Sequence, residues 1–579
     1  RPSTCLEHLI LSLSIQFDQI FSRFSGSFLV TTQSQQETVQ FEFKMLPVHN
    51  VLVIVFLALF SQANALPRCE PNDEECYDRF MHADLQDEVQ RQPFADQLSP
   101  ESTSAFWYKQ GKRFIRQKLS AQLNTKRAKN VILFLGDGMG LTTLAAARTL
   151  LGGEAQSLSF ENFPFVGLSK TYSVDQIVAD SACTATAYLG GVKALKGTVG
   201  VNGMVELGDC EAMQDPANHV HSIAKWAMDA GKSAGVVTTT RVTHASPAGV
   251  YAHSANRGWE NDKQVNMACG EDSGVPDIAH QLIHGEVGSK LSFVMGGGKS
   301  QFIDSKLYQR GYRSDGRNLI DEFKKQHPRN VYLETRDELL SATELSSAER
   351  VMGVFQDSHL LYHLETNETT NQPTLEEMTR KAIEFLSRDE DGYFIFIEGG
   401  RIDLAHHDNL ARAALDETVE LSKAIQAARE LTREEETLIV VTADHSHAFS
   451  FSGYAVSVRC LNIFGTALGQ PKDKKPYYRL SYANGPSYSK FYDSVTGMRR
   501  DPTKVVTGKA LDEFPSAVPL ALETHGGEDV PVFASGPWSH LFTGVYEQNT
   551  IPHLMAYASS FVYNKKIQTY MARTPRKWT

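Results

Sequence analysis

Four short segments join hydrophobic runs to side chains that bind metal ions. VILFLGDGMG carries Asp137, FIFIEGGRIDLAHH carries Glu398, Asp403 and His407, LIVVTADHSH carries Asp444 and His445, and ETHGGEDVPVF carries His525. A fifth, VADSACTATAYLGG, sets one small hydroxyl, Ser181, directly behind Asp180 where a helix would start. A serine hydroxyl keeps its proton at neutral pH, so it needs a metal or a base before it can act as a nucleophile. The pattern points to a nucleophile worked by metal ions. Asp403 and His407, four residues apart on a helix, project from one face and can share one ion. His525 could complete a zinc site of nitrogen and oxygen donors, and Asp444-His445 could address adjacent metals. Glu398 and Ser246, with Asp137 shared, would make a harder oxygen site suited to magnesium. A single Asp-His pair is as readily a cap or a turn. The recurrence of such pairs beside successive apolar runs carries the reading.

Those apolar runs are the elements that must bring the ligands together. VILFL (131–135), AGVVTTT (234–240), LSFVMG (291–296), YFIFIE (393–398), TLIVVTA (437–443) and VPVFASG (530–536) alternate with helical patterns such as Thr374–Ser387 and Ala411–Leu431. Continuous apolar strands separated by helices predict an α/β fold with a largely parallel central sheet and helices on both faces. Such sheets place their sites at the carboxyl ends of the strands. Ser102–Leu123 reads as an amphipathic helix (Phe106, Trp107, Phe114, Ile115, Leu119), an arm suited to packing on a neighbour. Residues 451–523, rich in Tyr, Gly, Pro and Lys, have no clear period and read as an insertion between two ligand segments.

At 579 residues and 41% hydrophobic, the chain can bury a large core, and a net charge of −11 without a basic run argues against a nucleic-acid partner. From Met45, the first methionine, an apolar run closes at Ala63-x-Ala65, the pattern of a secretory signal, which makes residues 1–44 a non-native leader and Leu66 the mature start. Val51–Phe60 is too short to span a bilayer. Among the seven cysteines, Cys69 and Cys76 are close enough to pair and Cys210 with Cys269 could close a longer loop. Cys5 falls in the leader, and Cys183 and Cys460 are left over. Asn367-Glu368-Thr369 is an N-glycosylation sequon. The tail after HLMAYASSFVY lacks the hydrophobic stretch of a glycolipid-anchor signal, so a soluble secreted chain is expected.

The segments VADSACTATAYLGGVKA, RVTHASPAGVYAHSANR (241–257), EGGRIDLAHHDN (398–409), TADHSHAFSFSGY (442–454) and ETHGGEDV (523–530) resemble those of the metal-dependent alkaline phosphatases of animals, over roughly residues 99–563. The resemblance implies hydrolysis of small phosphate monoesters, with an alkaline optimum, through a phosphoserine on Ser181. It matches Asp403, His407 and His525 to one Zn²⁺, Asp137, Asp444 and His445 to a second, and Asp137, Ser246 and Glu398 to one Mg²⁺. Arg257 matches the arginine that grips two phosphoryl oxygens, and His244 sits beside the magnesium site. Asp180 is expected to orient Arg257 or to cap the following helix, and His406 and His447 to support the ligands from behind. The implied organisation is a signal at 45–65, an N-terminal extension at 66–98, a catalytic α/β domain at 99–450 and 524–563 interrupted by a crown-like insertion at 451–523, and a tail at 564–579. The crown implies a homodimer. A membrane association would require a glycolipid anchor.

Some positions depart from the pattern. Leu404 replaces a histidine found in many animal relatives, and Gln356 and Gln372 stand where vertebrate relatives supply carboxylates to a peripheral calcium site, which argues against tight calcium binding there. Rival readings are a sulfatase, a phosphodiesterase of the same superfamily, or a silent binding protein. Cys183 is followed by Thr-Ala-Thr, so the C/S-x-P-x-R motif of sulfatases is absent, and related phosphodiesterases carry threonine and lack the Arg257 grip. A silent relative would have lost a ligand or the nucleophile, and this chain keeps them all.

Overall fold

The computed structural model describes residues 103–561 apart from 121, 154, 368, 454–462, 468–470 and 507. The expected signal at 45–65, the Cys69–Cys76 pair, Cys5, Cys460 and the tail 564–579 lie outside the described residues. All described residues fall within one unit, Glu88–Thr579.

Ten strands form the central sheet: β1 (Asn130–Gly136), β2 (Phe165–Lys170), β3 (Ser233–Arg241), β4 (Phe293–Gly297), β5 (Val331–Leu333), β6 (Val351–Val354), β7 (Tyr393–Gly399), β8 (Thr437–Ala443), β9 (Val530–Ser535) and β10 (Gly544–Glu547). Their spatial order is β10-β2-β9-β8-β1-β7-β3-β4-β6-β5. Every apolar run read as a strand is one, within one or two residues at either end. β9 runs antiparallel to both neighbours, β2 and β8, and the other strands share one direction.

The strand period of two explains how uninterrupted apolar runs serve two layers. Ile132 and Phe134 of β1, with Ile395, Ile397, Ile439 and Val441, pack against helices Leu375–Leu386 and Ala411–Leu431. Val131, Leu133 and Leu135, with Phe394, Phe396, Leu438 and Val440, pack against helices Ser181–Gly190, Ile278–His284 and Ile551–Ser559 on the other face. Thr374 caps helix Leu375–Leu386 in a reciprocal box with Glu377, which sets that boundary. The expected arm is a helix over Ser104–Ser120 with no buried residue. The strands Leu480–Gly485 and Ser516–Pro519 of the 451–523 segment join Phe449–Phe451, which leads into it, in a separate three-stranded sheet. Cys210 and Cys269 form a disulfide, and Cys183 is a buried free thiol. No helix among the described residues is long and apolar enough to cross a membrane.

Candidate metal centre and nucleophile

The ligand-bearing residues converge at one edge of the sheet. Asp137 follows β1, Glu398 ends β7, and Asp444 follows β8, all three fully buried. His525 precedes β9 rather than following a strand, but because β9 is antiparallel its start lies at the same edge as the carboxyl ends of the others. His525 and Gly526 pair with Ser446 and His447 in a short antiparallel bridge that fixes this position.

Asp403 and His407 share one face of helix Arg401–His407, with His407 Nε2 3.3 Å from Asp403 Oδ1. Around the same oxygen stand His447 Nε2 at 2.8 Å and His525 Nε2 at 3.4 Å, while the Nε2 atoms of His407 and His525 face each other at 3.1 Å. These four residues form one group able to hold a metal ion, and Asp137, Asp403 and His445 form a second. Asp444 is not in that second group, yet its Oδ2 lies 3.1 Å from His445 Nε2 while its Oδ1 accepts from the backbone N–H of Gly138 and His445. His445 and His525 stack at 3.5 Å between ring centroids, which joins the two groups.

Ser181 opens helix Ser181–Gly190, with its Oγ 3.2 Å from His445 Nε2 and 3.4 Å from Asp137 Oδ1. Asp180 fills both roles foreseen for it. Its Oδ1 accepts from the backbone N–H of Cys183 and Gly197, and its Oδ2 pairs with Arg257 Nη1 at 2.9 Å. Burial pushes the Asp180 carboxyl up, but Arg257 and these N–H donors outweigh it and hold the group at about 2. The other side of the guanidinium, Nη2, lies 3.2 Å from His244 Nε2. Burial, followed by Arg257 and Arg241, keeps His244 well below the usual imidazole range and therefore neutral. Ser246, in the short helix Ala245–Ala248, donates to Asp137 Oδ2 at 3.4 Å.

Whether these residues fit metal ions can be tested on the carboxylates themselves. Burial, and then Asp444, Asp403 and Glu398, push Asp137 well above the carboxylate range. Burial, with Asp444 adding to it, raises Glu398 to about 7, although Thr238 and Thr240 donate to its Oε2. Among the described residues no donor meets Glu398 Oε1, and Asp444 Oδ2, buried too, has only the His445 ring beside it. Burial also pushes Asp403 and Asp444 up, but neighbouring histidines outweigh it and lower both, so it is Asp137 and Glu398 that are costly without compensating cations. Divalent ions fit.

Other residues support the ligands, and one of them, Glu523, carried no sequence signal. Glu523 meets His447 Nδ1 through Oε2 at 2.5 Å, and its carbonyl accepts from His407 Nδ1 at 2.6 Å. His406 bridges Thr143 Oγ1 and Tyr482 Oη, at 3.0 and 2.9 Å, and so lies behind the ligands as expected. Away from the centre, Gln356 Nε2 donates to Gln372 Oε1 at 3.2 Å, a neutral pair.

The family model described as alkaline phosphatase matches residues 128–561. The membrane-bound alkaline phosphatase of Bombyx mori is 46% identical over 500 residues, 83% of this chain and 90% of that protein. The tissue-nonspecific isozyme of Homo sapiens is 44% identical, covering 79% of this chain and 89% of its own length. Among solved structures, the alkaline phosphatase of the Antarctic bacterium TAB5 superposes with a TM-score of 0.51 at 26% identity, over 76% of this chain and 99% of that one. That of Thermus thermophilus shares the fold with a TM-score of 0.55 at 21% identity, over 78% and 97%. The chain belongs to the alkaline phosphatase family, enzymes that hydrolyse phosphoric monoesters.

Proposed function

We propose that the protein hydrolyses small phosphate monoesters by way of a phosphoserine on Ser181. One zinc is held by Asp403, His407 and His525, a second by Asp137, Asp444 and His445, and a magnesium by Asp137, Ser246 and Glu398. The observation that carries this reading is the placement of the Ser181 hydroxyl within 3.4 Å of both Asp137 and His445, at the meeting point of buried, under-compensated carboxylates. When bound, the ions supply positive charge that stabilises the entering and leaving oxygens of an in-line displacement.

The protein's own groups do the rest. Ser181 Oγ bonds to phosphorus as the ester P–O bond breaks, its proton is released, and the departing alkoxide takes up a proton to leave as the alcohol. Water then cleaves the Oγ–P bond, releasing phosphate and restoring the hydroxyl. Arg257, steadied by Asp180, presents its planar fork to two phosphoryl oxygens, a grip that lysine cannot copy. Asp180 stays ionised at any working pH, which keeps Arg257 aimed. Removal of the serine proton becomes easier as pH rises, so the optimum is alkaline. The exposed apolar residues of helix Ser104–Ser120 (Trp107, Phe114, Ile115, Leu119) favour a homodimer in which this helix packs on the second subunit. The expected location is extracellular, or the outer membrane face where a glycolipid is attached.

Replacing Ser181 with Ala tests the assignment. Hydrolysis of p-nitrophenyl phosphate at alkaline pH is expected to fall by about 10³–10⁶-fold, as for other nucleophile deletions. Retained turnover would refute the role of Ser181. Elemental analysis should find zinc and magnesium near two and one per subunit.

A further inference from the structure

We infer that Glu523 is a positioning residue for one zinc site, acting through its carboxylate on His447, which holds Asp403, and through its carbonyl on the ligand His407. The inference rests on the reading of Asp403, His407 and His525 as ligands of one ion. Glu523 is buried, at 1% exposure, two residues before His525. Its carboxylate Oε2 meets His447 Nδ1 at 2.5 Å, and the opposite ring nitrogen, His447 Nε2, meets Asp403 Oδ1 at 2.8 Å. The imidazole is thus strung between two carboxylates, which fixes both its tilt and the oxygen of Asp403 it touches. The backbone of the same residue closes a second loop. The Glu523 N–H donates to the His407 carbonyl at 2.8 Å, and the Glu523 carbonyl accepts from His407 Nδ1 at 2.6 Å, leaving His407 Nε2 to face Asp403 and His525.

Glu523 is itself held from the inserted sheet. Thr524 donates its N–H to Asn484 Oδ1 at 2.9 Å and accepts from Asn484 Nδ2 at Oγ1, also at 2.9 Å, while its carbonyl accepts from the Ala448 N–H. Asn484 lies on the strand Leu480–Gly485 of the small sheet. The segment 451–523 therefore reaches the metal centre through Glu523 as well as through the Tyr482–His406 bond, beyond any part it takes in pairing subunits. The magnesium set of Asp137, Ser246 and Glu398 makes none of these contacts with Glu523.

This asymmetry supplies the test. Zinc and magnesium affinities of the full-length protein are measured by chelator competition for wild type, Glu523→Ala and Glu523→Gln, with circular dichroism as a check on folding. Removing an outer partner of a metal ligand costs about 10–100-fold in affinity. Glu523→Ala should weaken zinc by that factor and leave magnesium within twofold. Glu523→Gln, which keeps an acceptor of the same reach but no charge, should fall between Ala and wild type. Zinc affinity within twofold of wild type in a folded Glu523→Ala protein overturns the inference. Equal loss of zinc and magnesium also overturns it, because that would mark a general packing role. A wild-type protein that binds no zinc refutes the metal assignment, and the inference with it.

Discussion

Gly138, between β1 and helix Leu141–Leu150, has φ +70°, and a Cβ placed on it would lie 2.4 Å from His447 Nε2 and 2.5 Å from His447 Cδ2. Ordinary contact begins at 3.4 Å, so Gly138→Ala must push the His447 ring by roughly 1 Å. The 2.8 Å hydrogen bond from His447 to Asp403 then opens beyond bonding range. Losing a bond to a charged acceptor costs about 1.5–3 kcal/mol. A left-handed alanine adds about 1–2 kcal/mol. Gly208→Ala separates the two contributions, because Gly208 has φ +84° with nothing within 4 Å of a built Cβ. Calorimetry of metal-stripped proteins at one scan rate should place Gly138→Ala well below Gly208→Ala. Zinc affinity should drop, by about 10–100-fold, only in Gly138→Ala. Equal melting temperatures and equal zinc affinities in the two variants would refute the claim that the His447 ring dictates glycine here.

Other perturbations probe separate parts of the molecule. Arg257→Lys keeps a charge beside Asp180 but loses the fork, and kcat/KM for phosphate monoesters should fall roughly 10–150-fold, the equivalent of one charge-assisted hydrogen bond. A change under twofold would contradict the two-toothed grip. Burial, with Asp416 and Glu420 adding to it, raises Glu417 from 4.5 to about 7. A carboxyl raised on folding costs nothing below pH 4.5, costs progressively more between 4.5 and 7, and levels off above 7 at about 3 kcal/mol. Glu417→Gln should therefore match wild type in melting temperature near pH 4.5 and exceed it at pH 8, and a pH-independent difference would contradict this account. Opening the Cys210–Cys269 disulfide, which spans 59 residues, by replacing both cysteines with serine should cost about 4 kcal/mol on the loop-entropy estimate, read as a lowered melting temperature.

The central strands were legible because β1, β3, β7 and β8 are buried on both faces and read as unbroken apolar runs. β2 and β10, with exposed residues such as Val166 and Val545, and the short β5 lack that signature and were not foreseen, nor was β6, which is buried but only four residues long and interrupted by Gly353. Hydropathy holds no information on strand direction, so the antiparallel course of β9, which brings His525 to the ligand edge, could not be read. Asp180 was legible as a helix cap because an acidic residue before a small-residue helix suits that position, and the structure joins the cap to the Arg257 pairing that had been read as its alternative. Glu523 stood in plain view within ETHGGEDV but had no periodic relation to His447 or His407. Its contacts come from tertiary pairing, of His525 with His447 and of its own backbone with His407.

The position of β9 has a consequence for biosynthesis. Among the described residues the sheet partners of β2 are β9 and β10 alone, so the strand that leads into the Ser181 segment waits unpaired until the ribosome has made the last ligand segment. Every nascent intermediate exposes that edge, a hazard for self-association that trapping by chaperones would relieve. Truncations ending before His525 would strand β2 as well as remove that ligand, and should accumulate as insoluble protein rather than as folded, inactive enzyme.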